Sequence, residues 1–459
     1  MNNYQGKRVL IIGAARQGLA LARYMAKQGA AVTLNDRQSA DQLGSAIEQL
    51  NGYGINWVLG EHPLSLLDAA ELVCISGGVP LTLPLVNTAL QRGIPLTNDS
   101  QVFMENVKAP VVGITGSAGK TTTTTLFGRM AEAEVQAPRK AWIGGNIGNP
   151  LIEYVNDIDE NDLVIQELSS FQLELMTTSP QVAAVLNITP NHLDRHASMA
   201  EYIQAKARII GFQQSGDIAV LNREDRESWN LRGAVRGTLI SFGREESTST
   251  GPQVFLRNNW IVARRGNVES ALLDTALISL RGSHNLMNVM AASTLAFALG
   301  FRPESIAAGV TGLNGVKHRL QLVRELNGIS WINDSIATAP ERTLAAIHSF
   351  NEPLVLLLGG RDKNLPWDDL AAAIHQRVKH VVLFGEAAEK IHQAVGEPFP
   401  GSSLRAITRK TTLVEALEEA GRVAVPGDVV LLSPGCTSYD AFKDFEERGN
   451  LFSEWVNAL

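Results

Sequence analysis

What the chain has little of narrows its class first. It holds two cysteines, Cys74 and Cys436, far apart and in no metal-ligand spacing. A disulfide scaffold and a cysteine-based zinc site are excluded, and reduced interior thiols are expected. Its apolar runs, among them Val9–Ile12 and Leu354–Leu358, fall far short of the ~20 residues of a membrane span and read as buried strands. No membrane insertion is expected. Basic charge is also scarce, with a formal net charge of -7 and no long run of lysine or arginine. The counterion-releasing stripe that nucleic acid demands is missing, so no nucleic-acid partner is expected. The opening MNNYQGKRVLIIG enters a strand without a signal peptide's apolar stretch or cleavage site, and a cytoplasmic location is expected.

What is present is a balanced soluble composition, 45% hydrophobic and 19% charged over 459 residues, a length that suggests about three domains. Short apolar runs alternate with helical patterns, as in Leu72–Ile75, Val111–Ile114, Leu163–Ile165, Val182–Ile188, Val381–Phe384 and Val429–Leu432. That alternation predicts an α/β protein with mostly parallel sheets. Turn-rich breaks near Asn98–Pro110 and Gly312–Val316 divide it into residues 1–98, 99–315 and 316–459, with Rossmann-like units flanking a central P-loop ATPase-like unit. A capping box is expected where Thr412 precedes Glu415 by three residues. The stretch Glu245–Arg265 reads as a surface hairpin inserted in the middle unit.

The strongest chemical signal follows Val111–Ile114, where Thr115–Gly116–Ser117–Ala118–Gly119–Lys120–Thr121 leads into a helical stretch. Glycines let backbone N–H groups close around phosphates, and a helix N-terminus favours anions. Lys120 can neutralise the outer phosphates and the Thr121 hydroxyl can meet Mg²⁺. Ile114 stands where the strict phosphate-loop pattern has its first glycine. The loop predicts nucleotide triphosphate binding through Ser117, Ala118, Gly119, Lys120, Thr121, Thr122 and Thr123.

Other strands also end in polar groups, where α/β proteins bind ligands. Glu167 follows Leu163–Ile165 and His192 follows Val182–Ile188, giving a candidate Mg²⁺ ligand and a second ligand or orienting donor. In the first unit, Gly13–Ala14–Ala15–Arg16–Gln17–Gly18 has Ala15 where a dinucleotide site needs a glycine. An anion or nucleotide site is favoured over an NAD site. In the third unit, Lys363 can bind a carboxylate and Ser438 can donate to it.

Taken in order, the phosphate loop, Gly144–Gly148, ELSSFQLE, NITPNHLDRH, Gly282–Asn288 and Ser433–Phe445 resemble the Mur ligase family over essentially the whole chain. The resemblance implies an ATP-dependent amide-bond ligase of peptidoglycan precursor synthesis, acting as a monomer on UDP-N-acetylmuramoyl-L-alanine and glutamate. It implies that residues 1–98 hold the UDP part, through Ala15, Arg16, Asp36, Arg37, Ser76 and Gly77, assisted by Asn146, Ser169 and Gln172. Thr121, Glu167 and His192 would serve two Mg²⁺ ions, and Lys206 would be carbamylated and support them. Lys120, His192 and Lys206 would be the catalytic set, with Asn288, Arg319 and Asp334 completing the ATP site. Thr338, Lys363, Ser438 and Phe445 would meet the incoming amino acid. From the residues alone, Lys206 reads as a surface lysine of a helix, and Arg319 and Asp334 as ordinary surface charges.

Ile336 departs from the pattern, standing where many glutamate-adding members carry a lysine. A positive charge is lost there, which leaves D- and L-glutamate both open. A folylpolyglutamate-synthase-like ligase is the nearest alternative, but it would not need residues 1–98. A P-loop ATPase switch and an NAD oxidoreductase are the other classes, the latter disfavoured by Ala15.

Overall fold

The structure is a computed structural model describing residues 4–190, 196, 198–280, 282–313 and 317–459. Two compact units emerge: Met1–Leu277 with Met287–Thr311, and Ile278–Leu286 with Gly312–Leu459.

The first unit contains two sheets. One comprises β1 (Arg8–Ile12), β2 (Ala31–Asp36), β3 (Asn56–Leu59), β4 (Leu72–Ile75) and β5 (Leu96–Thr97), ordered β3-β2-β1-β4-β5. All its pairings are parallel. Four consecutive residues of β1 are buried, the continuous apolar run that a sheet covered on both faces requires.

The other sheet has nine strands: β6 (Val111–Thr115), β7 (Ala141–Gly145), β8 (Leu163–Glu167), β9 (Val182–Val185), β10 (Ile218–Asn222), β11 (Thr238–Phe242), β12 (Gln253–Arg257), β13 (Trp260–Arg265) and β14 (Val268–Asp274). Their order is β14-β13-β12-β11-β10-β9-β6-β8-β7. The expected surface hairpin is corrected here. Its strands β12 and β13 extend the central sheet, and Val254, Phe255 and Ile261 are fully buried. Gln253, Val254 and Phe255 are buried in succession, as in a strand covered on both faces, and the polar Ser/Thr loop ahead of them masked it. Asn258 and Asn259, both at positive φ, make its two-residue turn.

Helix Asp99–Asn106 is capped by Asn98, whose side chain accepts the Gln101 N–H at 2.8 Å. Its Val102 and Phe103 share one core with Ile11 of the first sheet, Met25 of helix Arg16–Lys27, and Leu151 and Val164 of the central region. Packing is therefore continuous across residue 98.

The second unit has one sheet of β15 (Gln321–Leu326), β16 (Ile329–Asn333), β17 (Leu354–Gly359), β18 (Val378–Phe384), β19 (Ala406–Arg409) and β20 (Val429–Gly435), ordered β15-β16-β20-β17-β18-β19. Only β15–β16 is antiparallel. An apolar cluster lies on each face. The Thr412–Glu415 capping box forms as expected. Among the described residues, no helix is long and apolar enough to cross a membrane.

Candidate active site

The phosphate loop joins the wholly buried β6 to helix Lys120–Glu134. Gly119 caps that helix at φ +82°, and a Cβ there would stand 2.1 Å from Asn288 Oδ1. Only glycine lets Asn288 approach so closely. Opposite, β9 ends sooner than its apolar run suggests, because the backbone after Val185 turns to hold the loop. Leu186 N–H donates to Thr115 O at 2.9 Å, and Ser117 N–H to Asn187 O at 2.8 Å. The Asn187 side chain brackets Ala118, accepting its N–H at 2.8 Å and donating to its carbonyl at 3.0 Å. The Ser117 hydroxyl lies 2.9 Å from both Thr189 O and the Tyr202 hydroxyl.

Asn187 and Tyr202 were missed in the sequence. Their signals were a polar residue directly after an apolar strand, and a tyrosine one helical turn before Lys206.

Lys206 corrects the surface expectation. On helix Met199–Gly211 it is 1% exposed. Its amine donates to Gly116 O at 2.9 Å and Thr115 Oγ1 at 3.4 Å, over the Tyr202 ring. Burial, then the nearby Lys120, holds it well below the ordinary lysine range, with Glu167 opposing. Lys120 also donates to Gly116 O, at 2.8 Å. Two amines thus meet at one carbonyl of the loop.

Glu167 ends β8 and is 1% exposed. Its Oε1 accepts from Asn146 Nδ2 at 2.8 Å, whereas its Oε2 has no hydrogen-bond partner among the described residues. A buried, half-satisfied carboxylate beside a phosphate loop suits a hard cation. His192 lies outside the described residues, and among those described no three acidic, histidine or cysteine residues cluster as a metal site. Thr122 and Thr123 are buried, and Thr123 N–H is taken by Gly119 O at 2.9 Å. Gln172 is 1% exposed and bonded throughout: its Oε1 accepts from Ser169 N–H and hydroxyl, and its Nε2 donates to Ser100 Oγ at 2.8 Å. Ser169 and Gln172 form a capping box of helix Ser170–Leu173, so both have a structural task.

In the first sheet, three loops meet at strand carboxyl ends. Gly13 stands so near Ser76 that a Cβ would come within 2.9 Å of it, and a Cβ at Gly18 would fall 1.8 Å from Gly13 O. Asp36 accepts from Ala14 N–H at 2.7 Å and Gln38 N–H at 2.8 Å. Ala15, Arg16 and Arg37 are exposed, while Gly77 lies beside Gln17. Arg16 Nη2 reaches Asn146 O at 3.4 Å, linking this loop to the Glu167 neighbourhood. Asp99 is nearby and buried, its Oδ1 without a hydrogen-bond partner among the described residues. Burial pushes it up to about 6, against Ser100 N–H, Gln172 and Arg16.

In the second unit, Asp334 is also not a surface charge. It is buried, accepting from Ser433 Oγ at 2.8 Å and Leu320 N–H at 3.1 Å, and burial raises it to about 7. Arg319, only partly exposed, is among the charges opposing that shift. Lys363 donates to Thr338 Oγ1 at 3.2 Å, Ser438 is buried, and Phe445 O accepts from Ser335 Oγ at 2.8 Å. Beneath lies Arg448, fully buried, donating to Ser335 O at 2.9 Å, Ser335 Oγ at 3.0 Å, and Thr437 O and Cys436 O at 3.2 Å. It ties the loops after β16 and β20 together, a role that no local sequence pattern announces.

Phosphate loop, the amines of Lys120 and the buried Lys206, and a half-satisfied carboxylate define a nucleotide-using α/β enzyme built on three sheets. Family models agree: "Mur ligase MurD-like, N-terminal domain" matches residues 7–98, "Mur ligase middle domain" 114–296 and "Mur ligase, glutamate ligase domain" 318–436. The UDP-N-acetylmuramoylalanine–D-glutamate ligase of Symbiobacterium thermophilum is 40% identical, covering 99% of this chain and 98% of its own. That of Geobacter metallireducens is also 40% identical, with the same coverage. In fold, the chain resembles the UDP-N-acetylmuramate-alanine ligase of Thermotoga maritima, at TM-score 0.57 and 18% identity, covering 98% of this chain and 99% of that one. The chain belongs to the Mur ligase family, and it is a ligase.

Proposed function

We propose that the protein joins D-glutamate to UDP-N-acetylmuramoyl-L-alanine at the expense of ATP, as a cytoplasmic monomer in peptidoglycan precursor synthesis. The observation that carries the chemistry is the meeting of Lys120, Lys206 and the half-satisfied Glu167 at one phosphate loop. Full-length likeness to D-glutamate ligases supports the choice of substrates.

A carboxylate is a poor acyl donor, so an alanyl carboxylate oxygen attacks the γ-phosphorus, and ADP leaves as the β–γ P–O bond breaks. The glutamate amine then attacks the acyl carbon and loses a proton, and phosphate departs as the amide forms. Lys120 and the loop N–H groups position the phosphates and stabilise their charge. Glu167, Thr121 and, by resemblance, His192 would hold Mg²⁺, which supplies neutralisation of phosphate charge. The buried Lys206 amine is biased toward its neutral form, the form that adds CO₂; a carbamate there supports the same cation site. Residues 1–98 receive the UDP moiety, 99–315 the ATP and 316–459 the amino acid. Arg319 and Asp334 complete the ATP site, while Thr338, Lys363, Ser438 and Phe445 receive glutamate.

Phosphate release and product mass, measured with UDP-N-acetylmuramoyl-L-alanine, ATP and a panel of D- and L-amino acids, test this reading. Release that needs both acceptor and D-glutamate is expected. Release independent of both would sink it, and a product with L-glutamate alone would overturn the configuration.

A further inference from the structure

Lys363 is not the only cation at the carboxyl ends of the third sheet. Arg342 stands exposed in the first turn of helix Pro340–Ile347, its N–H bonded to Ala339 O at 3.1 Å. That turn is pinned in place. Thr343 Oγ1 donates to Ser433 O at 3.0 Å in a buried contact, and Gly435 N–H donates to Ala337 O at 2.9 Å. Thr338, two residues before the helix begins, carries the hydroxyl that holds Lys363. The backbone turn that carries Arg342 therefore borders the Lys363–Thr338 contact, and the Arg342 charge reaches both Lys363 and Asp334.

Neither cation is neutralised. Among the described residues, Lys363 and Arg342 make no ion pair, although neighbouring cations do: Arg361 pairs with Glu386 at 3.0 Å and Lys390 pairs with Asp362. Glu341 exerts a field on Lys363 without pairing to it. Ile336 in the same loop adds no charge. Two like charges held together repel, and the Lys363 amine lies below its ordinary range through burial and then Arg342. A ligand with two anionic groups relieves that repulsion and completes two charge-assisted hydrogen-bond sets.

We propose that Arg342 is a specificity-determining residue which, with Lys363, forms a two-point receptor for the two carboxylates of a dicarboxylic amino acid, one cation to each. This rests on the reading that the second unit receives the amino acid. A monocarboxylic amino acid leaves one cation unanswered, so discrimination resides in the pair.

The test uses the full-length enzyme with Arg342→Ala and Arg342→Lys, measuring amide formation against glutamate and glutamine with ATP and UDP-substrate saturating. Arg342→Ala is expected to raise the glutamate KM about tenfold, about 1.4 kcal/mol. The kcat and the ATP KM should stay within about twofold, and the preference for glutamate over glutamine should fall by about the same tenfold factor. Arg342→Lys, which keeps the charge, recovers most of that loss. A glutamate KM within about twofold of wild type, or an equal rise in ATP KM, overturns the proposal. Wild-type enzyme that joins no dicarboxylic amino acid at all would instead refute the underlying function, and the two-point receptor with it.

Discussion

Lys206 and Arg448 are among the largest fully buried side chains, one in each unit, and both donate to loop carbonyls at the carboxyl end of a sheet. They differ in what burial does to them. The lysine amine is driven far down, toward a neutral, reactive form. The arginine is pulled only to about 10 and stays charged at neutral pH, its planar fork spread over four acceptors between 2.9 and 3.2 Å away. A lysine under the phosphate loop leaves chemistry adjustable, whereas an arginine under the other loops makes geometry rigid.

The largest effect that would break this contrast is on folding. Arg448→Ala leaves buried carbonyls without donors and opens a cavity, so chemical denaturation of the second unit is expected to show a loss of about 3–5 kcal/mol. A loss below about 1 kcal/mol would refute the rigid role. Lys206→Met tests the opposite side. Because burial already disfavours the charge, stability should stay within about 1 kcal/mol of wild type while phosphate release falls about 100-fold, equivalent to about 2.7 kcal/mol. Equal damage to folding would make Lys206 another Arg448.

Asp99 sharpens the comparison, as an acid that burial can also discharge. Its folded carboxyl titrates at about 6 rather than 3.8, so folding takes up a proton between those values. The associated stability is complete below pH 3.8 and disappears as pH rises through about 6. The permanently neutral Asp99→Asn should exceed wild type by about 3 kcal/mol at pH 8 and come close to it at pH 4. Denaturation midpoints that differ equally at both pH values would show that Asp99 is not the titrating group.

Much of this was legible in advance because parallel strands write themselves as short apolar runs and their ligand groups follow directly. The strand–loop–helix of the phosphate loop and the places of Glu167 and Lys363 after strands were read that way, and the Thr412 capping box from its three-residue spacing. Burial of polar groups was not legible. A lysine or arginine on a helix looks solvent-bound until tertiary packing places it beneath a loop, and Lys206 and Arg448 have no local pattern that announces this. Gln172 shows the converse: a motif residue suited to a ligand is occupied by Ser169 and Ser100. The hairpin itself was read, but its burial was obscured because the Ser/Thr loop before β12 outweighed the inward Phe255.

That hairpin has a practical consequence. Asn258 and Asn259 form a turn at the far side of β12, four strand spacings from β6, or roughly 19 Å. None of the residues proposed to meet nucleotide or amino acid lies in it. A fluorophore or foreign epitope spliced between the two asparagines would give the enzyme a permanent address on the central sheet without touching the machinery it reports on.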